Sequence, residues 1–328
     1  MFNFGVKYLS VDLGQVNTTI KYDQTDNLVK EPTIVAFDVI KKDYISFGIN
    51  AEQLVGRFPT SKLIVRPFKN GKIVNYNAML YFVKSLLMKF GPLDRLNVLI
   101  SIPNFPNFRT KERFKHELMA MGVRNVTVED KIITNTVYLR KKEKLSVSHY
   151  LLIDIGSNLT SFANFSDQKL KVRLFRQGIN SFNQLVKKEF IEKFGVILSN
   201  NTVEYLKSNF FMNSSDYDGN RNLKIKGIES KTGLPIYLNI SNKIIEQITN
   251  KTMDRFSKEI KKFIKILPES IQNHIIRQGI ILTGDSSLLN NLSLAVKEKT
   301  GLTVLIPPNP ADSAAIGGWD KLIELSHG

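Results

Sequence analysis

One short pattern occurs twice in this chain, and its two copies divide it. At residues 8–20, Tyr-Leu-Ser-Val-Asp-Leu-Gly-Gln-Val-Asn-Thr-Thr-Ile, an apolar run ends on Asp12, turns at Gly14 and resumes as a β-branched run. Residues 149–164 repeat the plan with Asp154 and Gly156. Each copy reads as strand, tight turn, strand. An aspartate at the end of a buried strand, followed by a glycine hairpin, is a way to hold a hydrated metal beside phosphates. The N–H groups of the turn can line an anion-binding concavity. A single such stretch is most often an ordinary turn. Two copies whose aspartates lie 142 residues apart point to an internal duplication. The expectation is two similar lobes facing each other across a cleft, each contributing one hairpin and one acidic residue.

The length of 328 residues accommodates two domains at about 150 residues each. Hydrophobic residues make up 42% of the chain, which excludes a disordered class. Cysteine is absent, so disulfide and thiol chemistry are excluded and a reducing cytoplasm is expected. No apolar run approaches the ~18 residues of a membrane span. Phe2, Phe4 and Val6 precede Asp12 in a stretch too short and polar for a signal peptide. The net charge of +16 predicts attraction to an acidic surface. Its clusters (Lys41-Lys42, Arg140 to Lys142, Lys187-Lys188, Lys224 to Lys231, Lys261-Lys262) are scattered, without an aromatic-interleaved basic stripe. Each reads as a solvated face. Their sum suits an anionic membrane, at about 1 kcal/mol per basic residue near the surface, and nucleic acid is disfavoured.

Along the first half, Thr33 to Phe37 and Tyr44 to Phe47 read as strands, Ala51 to Val55 as a short helix stopped by Gly56, and Asn70-Gly71 as a turn. Asn77 to Lys89 carries an apolar stripe at helical spacing. The turn after it holds Phe90 and Leu93, which are either packing satellites of the core or a loop that dips into lipid. Leu96 to Ile102 reads as a buried strand, Arg109 to Met121 as a helix with a basic face, and Val126 to Val128 as a short strand. Glu129-Asp130 then open a helix over Lys131 to Arg140, where carboxylates suit the macrodipole or catalysis. A final helix is expected over Ala311 to Leu325.

In order, these blocks resemble the actin, heat-shock-protein and sugar-kinase superfamily, and most specifically the MreB family of bacterial actins. The matching stretches are Asp12-Leu13-Gly14 with Asn17-Thr18, Gly56-Arg57, Arg66 to Gly71, Glu129-Asp130 and Asp154-Ile155-Gly156. Thr202 to Lys207, Thr232 to Pro235 and Arg277 to Gly284 follow, so the resemblance spans nearly the whole chain. The wealth of lysine, asparagine and isoleucine is similar to that of divergent members from wall-less, spiroplasma-like bacteria.

The resemblance implies an α/β, actin-like fold of two duplicated lobes around a nucleotide cleft, each lobe with a small subdomain. Residues 1–148 would form the first lobe (small subdomain about 30–75), completed by a C-terminal helix at 308–328. Residues 149–307 would form the second (small subdomain about 182–245). It implies a cytoskeletal protein that binds ATP and Mg2+ and polymerises with itself. Filaments would lie at the cytoplasmic, inner face of the membrane, against anionic lipids, and serve cell shape or motility. A paralogous MreB would be a further partner. ATP would close the cleft and couple lobe rotation to head-to-tail contacts, which build open filaments.

By the same resemblance, Asp12, Gly14, Asn17 and Thr18 would meet the β- and γ-phosphates, and Asp12 and Asp154 would hold waters around Mg2+. Gly156 and Thr160 would belong to the second phosphate hairpin. Gly178 would lie near the ribose, and Gly284 near the adenine and α-phosphate. Glu204 and Lys207, three apart on one helical face, would flank the adenosine or form a surface ion pair. Phe90 and Leu93 would touch the membrane.

Departures bear on catalysis. The family's Asp-Ile-Gly-Gly-Gly-Thr-Thr reads here Asp-Ile-Gly-Ser-Asn-Leu-Thr, putting Leu159 where a threonine positions the attacking water. Asp130, followed by Lys131, stands for the catalytic glutamate and its proline. Gly284-Asp285-Ser286 replaces three glycines, and Gln15-Val16 replaces Thr-Ala. Leucine offers no hydrogen bond, and a misplacement of ~1 Å can lower a rate ~10²-fold. ATP hydrolysis is therefore expected to be weak or absent. The alternatives are an active ATPase or small-molecule kinase of the superfamily, and a DNA-associated partition filament.

Overall fold

The computed structural model describes residues 5–25, 27–56, 61–69, 72–103, 108–141, 150–166, 169–212, 222–289 and 292–327. The turn expected at Asn70-Gly71 lies outside them, as does Arg57. The chain divides into two compact units, residues 1–146 with 312–328, and residues 147–311.

The first unit runs β1 (Lys7–Leu13), β2 (Asn17–Lys21), β3 (Leu28–Pro32), β4 (Val35–Asp38), β5 (Asp43–Phe47), α1 (Gly48–Glu52), β6 (Lys62–Val65), β7 (Phe68–Lys69) and β8 (Lys72–Ile73). It continues with α2 (Tyr76–Met88), β9 (Leu96–Ile102), α3 (Phe108–Ala120), β10 (Asn125–Asp130) and α4 (Lys131–Lys141). A C-terminal helix, Ser313–His327, returns to it. Its main sheet has the order β10-β9-β1-β2-β3, parallel from β10 to β1 and antiparallel beyond. A smaller sheet has the order β5-β4-β6.

Strand alternation sorts the two faces of the main sheet. Leu9, Val11 and Leu13 of β1 join Phe82, Val83 and Leu86 of α2 and Phe114 and Leu118 of α3 in one apolar core. The other face is built for close approach. A Cβ on Gly318 would lie 2.4 Å from Ser10 Oγ, and one on Gly317 would lie 1.9 Å from the Thr134 carbonyl of α4. Glycines there let the C-terminal helix settle directly onto the sheet and α4.

The second unit runs β11 (Leu151–Ile155), β12 (Thr160–Ser166), β13 (Lys169–Phe175), α5 (Ile179–Phe194), β14 (Val196–Ile197), α6 (Asn200–Met212), β15 (Asn222–Glu229) and β16 (Pro235–Ser241). Then come α7 (Asn242–Lys265), α8 (Glu269–Gln278), β17 (Ile280–Thr283), α9 (Leu292–Thr300) and β18 (Val304–Leu305); the C-terminal helix is α10. The main sheet is β13-β12-β11-β17-β18, and a second sheet is β14-β15-β16. Strand for strand, this repeats the first unit: a central strand pairs antiparallel with its hairpin partner and parallel with a later strand. Phe162 centres its core, with the rings of Phe175, Phe256 and Phe263 5.9–6.3 Å away.

Candidate functional site

In the first unit, β1 carries Asp12 to the C-terminal edge of the sheet, where its side chain is buried. The turn closes through Gly14 N–H donating to the Asp12 carbonyl at 3.0 Å. A Cβ at Gly14 would lie 2.1 Å from the Asn17 carbonyl oxygen, so no other residue fits. Asn17 is exposed, whereas Thr18 is fully buried with its hydroxyl 2.8 Å from that of Thr33. Thr18 thus ties β2 to the segment leading into β4.

Register aligns Asp12 with Ser101 of β9, and Ser101 with Glu129 of β10. Glu129 therefore shares a sheet face with Asp12, and Asp130 turns to the other. Three lysines meet these three carboxylates. Lys131 Nζ lies 3.0 Å from Asp12 Oδ2, Lys111 Nζ lies 2.5 Å from Asp130 Oδ2, and Lys321 pairs with Glu129. Lys131 is visible in the sequence as a departure after the acidic pair. Lys111 belongs to the basic helix α3, and no local pattern joins it to Asp130.

At Asp12 the Lys131 ammonium faces Oδ2, while Oδ1 is buried with no hydrogen-bond partner among the described residues. Among the described residues, no group of three or more His, Cys, Asp or Glu side chains is arranged to hold a metal ion.

In the second unit, β11 carries Asp154, whose Oδ1 accepts from Thr283 Oγ1 at 3.1 Å. Gly156 N–H donates to the Leu159 carbonyl at 2.9 Å, folding the turn. Leu159 is buried, and Thr160 Oγ1 donates to the Gln177 carbonyl at 2.8 Å. The turn also caps α5: Ile179 N–H donates to Gly156 O at 3.2 Å and Asn180 N–H to Ser157 O at 2.8 Å. A Cβ on Gly178 would come within 2.1 Å of Gly156 O. Behind this turn lies a cavity of about 50 Å³ lined mainly by apolar side chains, among them Ile155, Phe182, Met253 and Phe256. Thr160 and Gly178 also line it, and its volume is below the ~300 Å³ usual for a ligand pocket. Gly284 adopts φ 89°, and a Cβ there would lie 2.5 Å from Ile155 O, which brings the exit of β17 against β11. Asp285, next in the chain, is exposed.

Glu204 on α6 is exposed and accepts from Asn183 Nδ2 of α5 at 2.8 Å. Lys207 follows on the same helix, its side chain outside the described residues. Phe90 and Leu93 are half-buried and pack against the first unit's core. The Phe90 ring lies 5.3 Å from that of Tyr22, and its carbonyl accepts from Lys7 Nζ at 2.8 Å. Met88 beside them is exposed.

Comparison with known proteins gives one answer along the chain. Residues 6–326 match the family model described as MreB/Mbl protein. The cell shape-determining protein Mbl of Bacillus subtilis is 24% identical over 314 residues, covering 94% of this chain and 93% of that protein. The structure of MreB5 of Spiroplasma citri bound to AMPPNP superimposes with a TM-score of 0.83 at 21% identity, covering 98% of both chains. A MamK double helical filament superimposes with a TM-score of 0.75 at 14% identity, covering 98% of this chain and 99% of that one. The fold held in common is actin-like and α/β.

Proposed function

Because the chain belongs to the MreB/Mbl family of cytoskeletal proteins, we propose that it is a filament-forming protein that binds ATP and turns it over slowly or not at all. The duplicated hairpins carry this reading. Each unit carries a buried aspartate one residue before the end of its central strand (Asp12, Asp154) and follows it with a tight glycine turn, where a Cβ would lie 2.1 Å from a backbone oxygen at Gly14 and 3.1 Å at Gly156. Solved relatives support it, one bound to AMPPNP and one a double helical filament. Phosphoryl transfer depends on positioning and electrostatics. Asp130 is held by Lys111, and Leu159 is an apolar, buried side chain where a water-orienting hydroxyl would be needed. Both features favour nucleotide as a structural ligand.

The proposed partners are further copies of the chain, a paralogue, and the anionic lipid of the inner membrane face. The charge of +16 supports the lipid, as does exposed Met88 beside Phe90 and Leu93, which are themselves half-buried against the core. Among the described residues, no helix is long and apolar enough to cross a membrane, so attachment would be peripheral.

Sedimentation with ATP, ADP or no nucleotide, with and without anionic liposomes, tests the reading. ATP should bring the protein into the pellet without lipid, and liposomes should recruit it further. Phe90→Ser with Leu93→Ser should weaken recruitment alone, circular dichroism confirming the fold. Absence of polymer under every nucleotide condition would refute the filament, and recruitment unchanged by the double substitution would remove the lipid-contacting corner.

A further inference from the structure

We propose that the outer edge of β10 is a docking site for an extended, acidic peptide segment of a partner protein, which would join the first unit's main sheet as a further strand. β10 is the last strand of that sheet, and among the described residues no strand pairs with its outer edge. Such an edge presents backbone N–H and C=O groups ready for pairing. A cavity of about 440 Å³ lies against it, within the size range of ligand sites.

Three consecutive residues of β10, Asn125, Val126 and Thr127, line this cavity. Successive side chains of a strand point to opposite faces of the sheet, so a cavity that meets all three wraps around the edge. Val126 belongs to the core that includes α3. Thr127 is level with Leu99 of β9, on the face that receives α10. The two helices flank the edge accordingly, α3 lining the cavity with Lys115 and Met119, and α10 with Leu322 and Leu325.

An added strand would send alternate side chains to these two faces. Its backbone hydrogen bonds would give affinity, and the flanking side chains selectivity. Met119 and Leu325 are 39% and 58% exposed, apolar surface that an apolar guest would remove from water. Lys115 is half-buried, and among the described residues its ammonium makes no ion pair and no carboxylate lines the cavity. An acidic side chain on the α3 face of the guest would meet that charge. Asn125 Nδ2 donates to Asn97 Oδ1 at 2.9 Å, which leaves Asn97 Nδ2 and Asn125 Oδ1 to hold polar groups of the guest. Asn125 opens β10, whereas Glu129, level with Asp12 across the sheet, lies near its other end. The site is therefore separate from the hairpins, and the inference goes beyond the nucleotide reading.

The test is fluorescence anisotropy of the full chain with a labelled hexapeptide, Thr-Leu-Asp-Leu-Val-Leu. Replacing its aspartate by lysine should weaken binding about fivefold, and Lys115→Glu should reverse that preference. N-methylation of alternate residues should abolish binding in one register and spare it in the other, because only one set of N–H groups would face β10. If Lys115→Glu does not fold, the peptide series on the native chain decides. Absence of binding, or binding indifferent to charge and to methylation register, overturns the site. Loss of sedimentable filament in Lys115→Glu, with no peptide bound by the native chain, would assign this edge to a second copy and overturn the peptide partner.

Discussion

Gly178 shows how tightly single residues determine these hairpins. Its Cα lies so close to the preceding turn that a methyl group would sit 2.1 Å from Gly156 O and 2.6 Å from the Ser157 carbonyl carbon. Neither atom is a side chain that can swing away. Gly178→Ala should therefore destabilise the second unit by about 1–3 kcal/mol, as overpacking does. Gly5→Ala, where a Cβ meets nothing within 4 Å, should leave the thermal midpoint unchanged. Equal midpoints for the two variants would show that the turn has more room than its geometry implies. Asp12, Gly14, Asp154 and Gly156 are legible in the sequence because strand, carboxylate and turn are contiguous there. The direction of Asp130 is not. It depends on the register of β10 against β9, and the strand runs to Asp130, past the Val128 at which its apolar residues stop. Which of two neighbouring carboxylates shares a face with Asp12 is a property of sheet pairing, as is the meeting of Asp130 with Lys111.

At the scale of elements, local signals worked where the cause was local. The apolar stripe predicted a helix from Asn77, and α2 starts one residue earlier because Asn75 accepts from Ala78 N–H at 2.9 Å and caps it. The short helix expected at Ala51 to Val55 is instead α1, Gly48–Glu52. Its start is set by Glu31, whose carboxylate accepts from Ile49 N–H at 2.9 Å, a distant partner that no window around Gly56 contains. Pairing between helices also sets a pH response. Glu189 of α5 is held below the usual carboxylate range, first by the hydrogen bond from Lys251 of α7 and then by that from Lys193. A carboxyl with a lowered folded-state pKa contributes stability that is present above its unfolded pKa and lost as pH falls through the folded value. The midpoint difference between the native chain and Glu189→Gln should therefore be full above the ordinary glutamate pKa of about 4.3 and shrink as pH falls below it. A difference independent of pH would mean that the Glu189 carboxylate is not the coupled group.

At the scale of the molecule, a 142-residue repeat in sequence corresponds to two sheets with the same strand order. The same comparison locates the divergence. Both units keep the aspartate and glycine of their hairpins, while the residues around them differ from the family pattern. In the first unit the acidic side chains are matched by lysines, and in the second a leucine fills the turn. The most direct test is phosphate release from ATP at a protein concentration where sedimentation shows filaments, with Asp130→Ala measured alongside. Release should be indistinguishable from that of Asp130→Ala while ATP still binds and filaments still form. Release well above the variant would show that Asp130 escapes Lys111 to activate water, and would contradict the reading of ATP as a structural ligand.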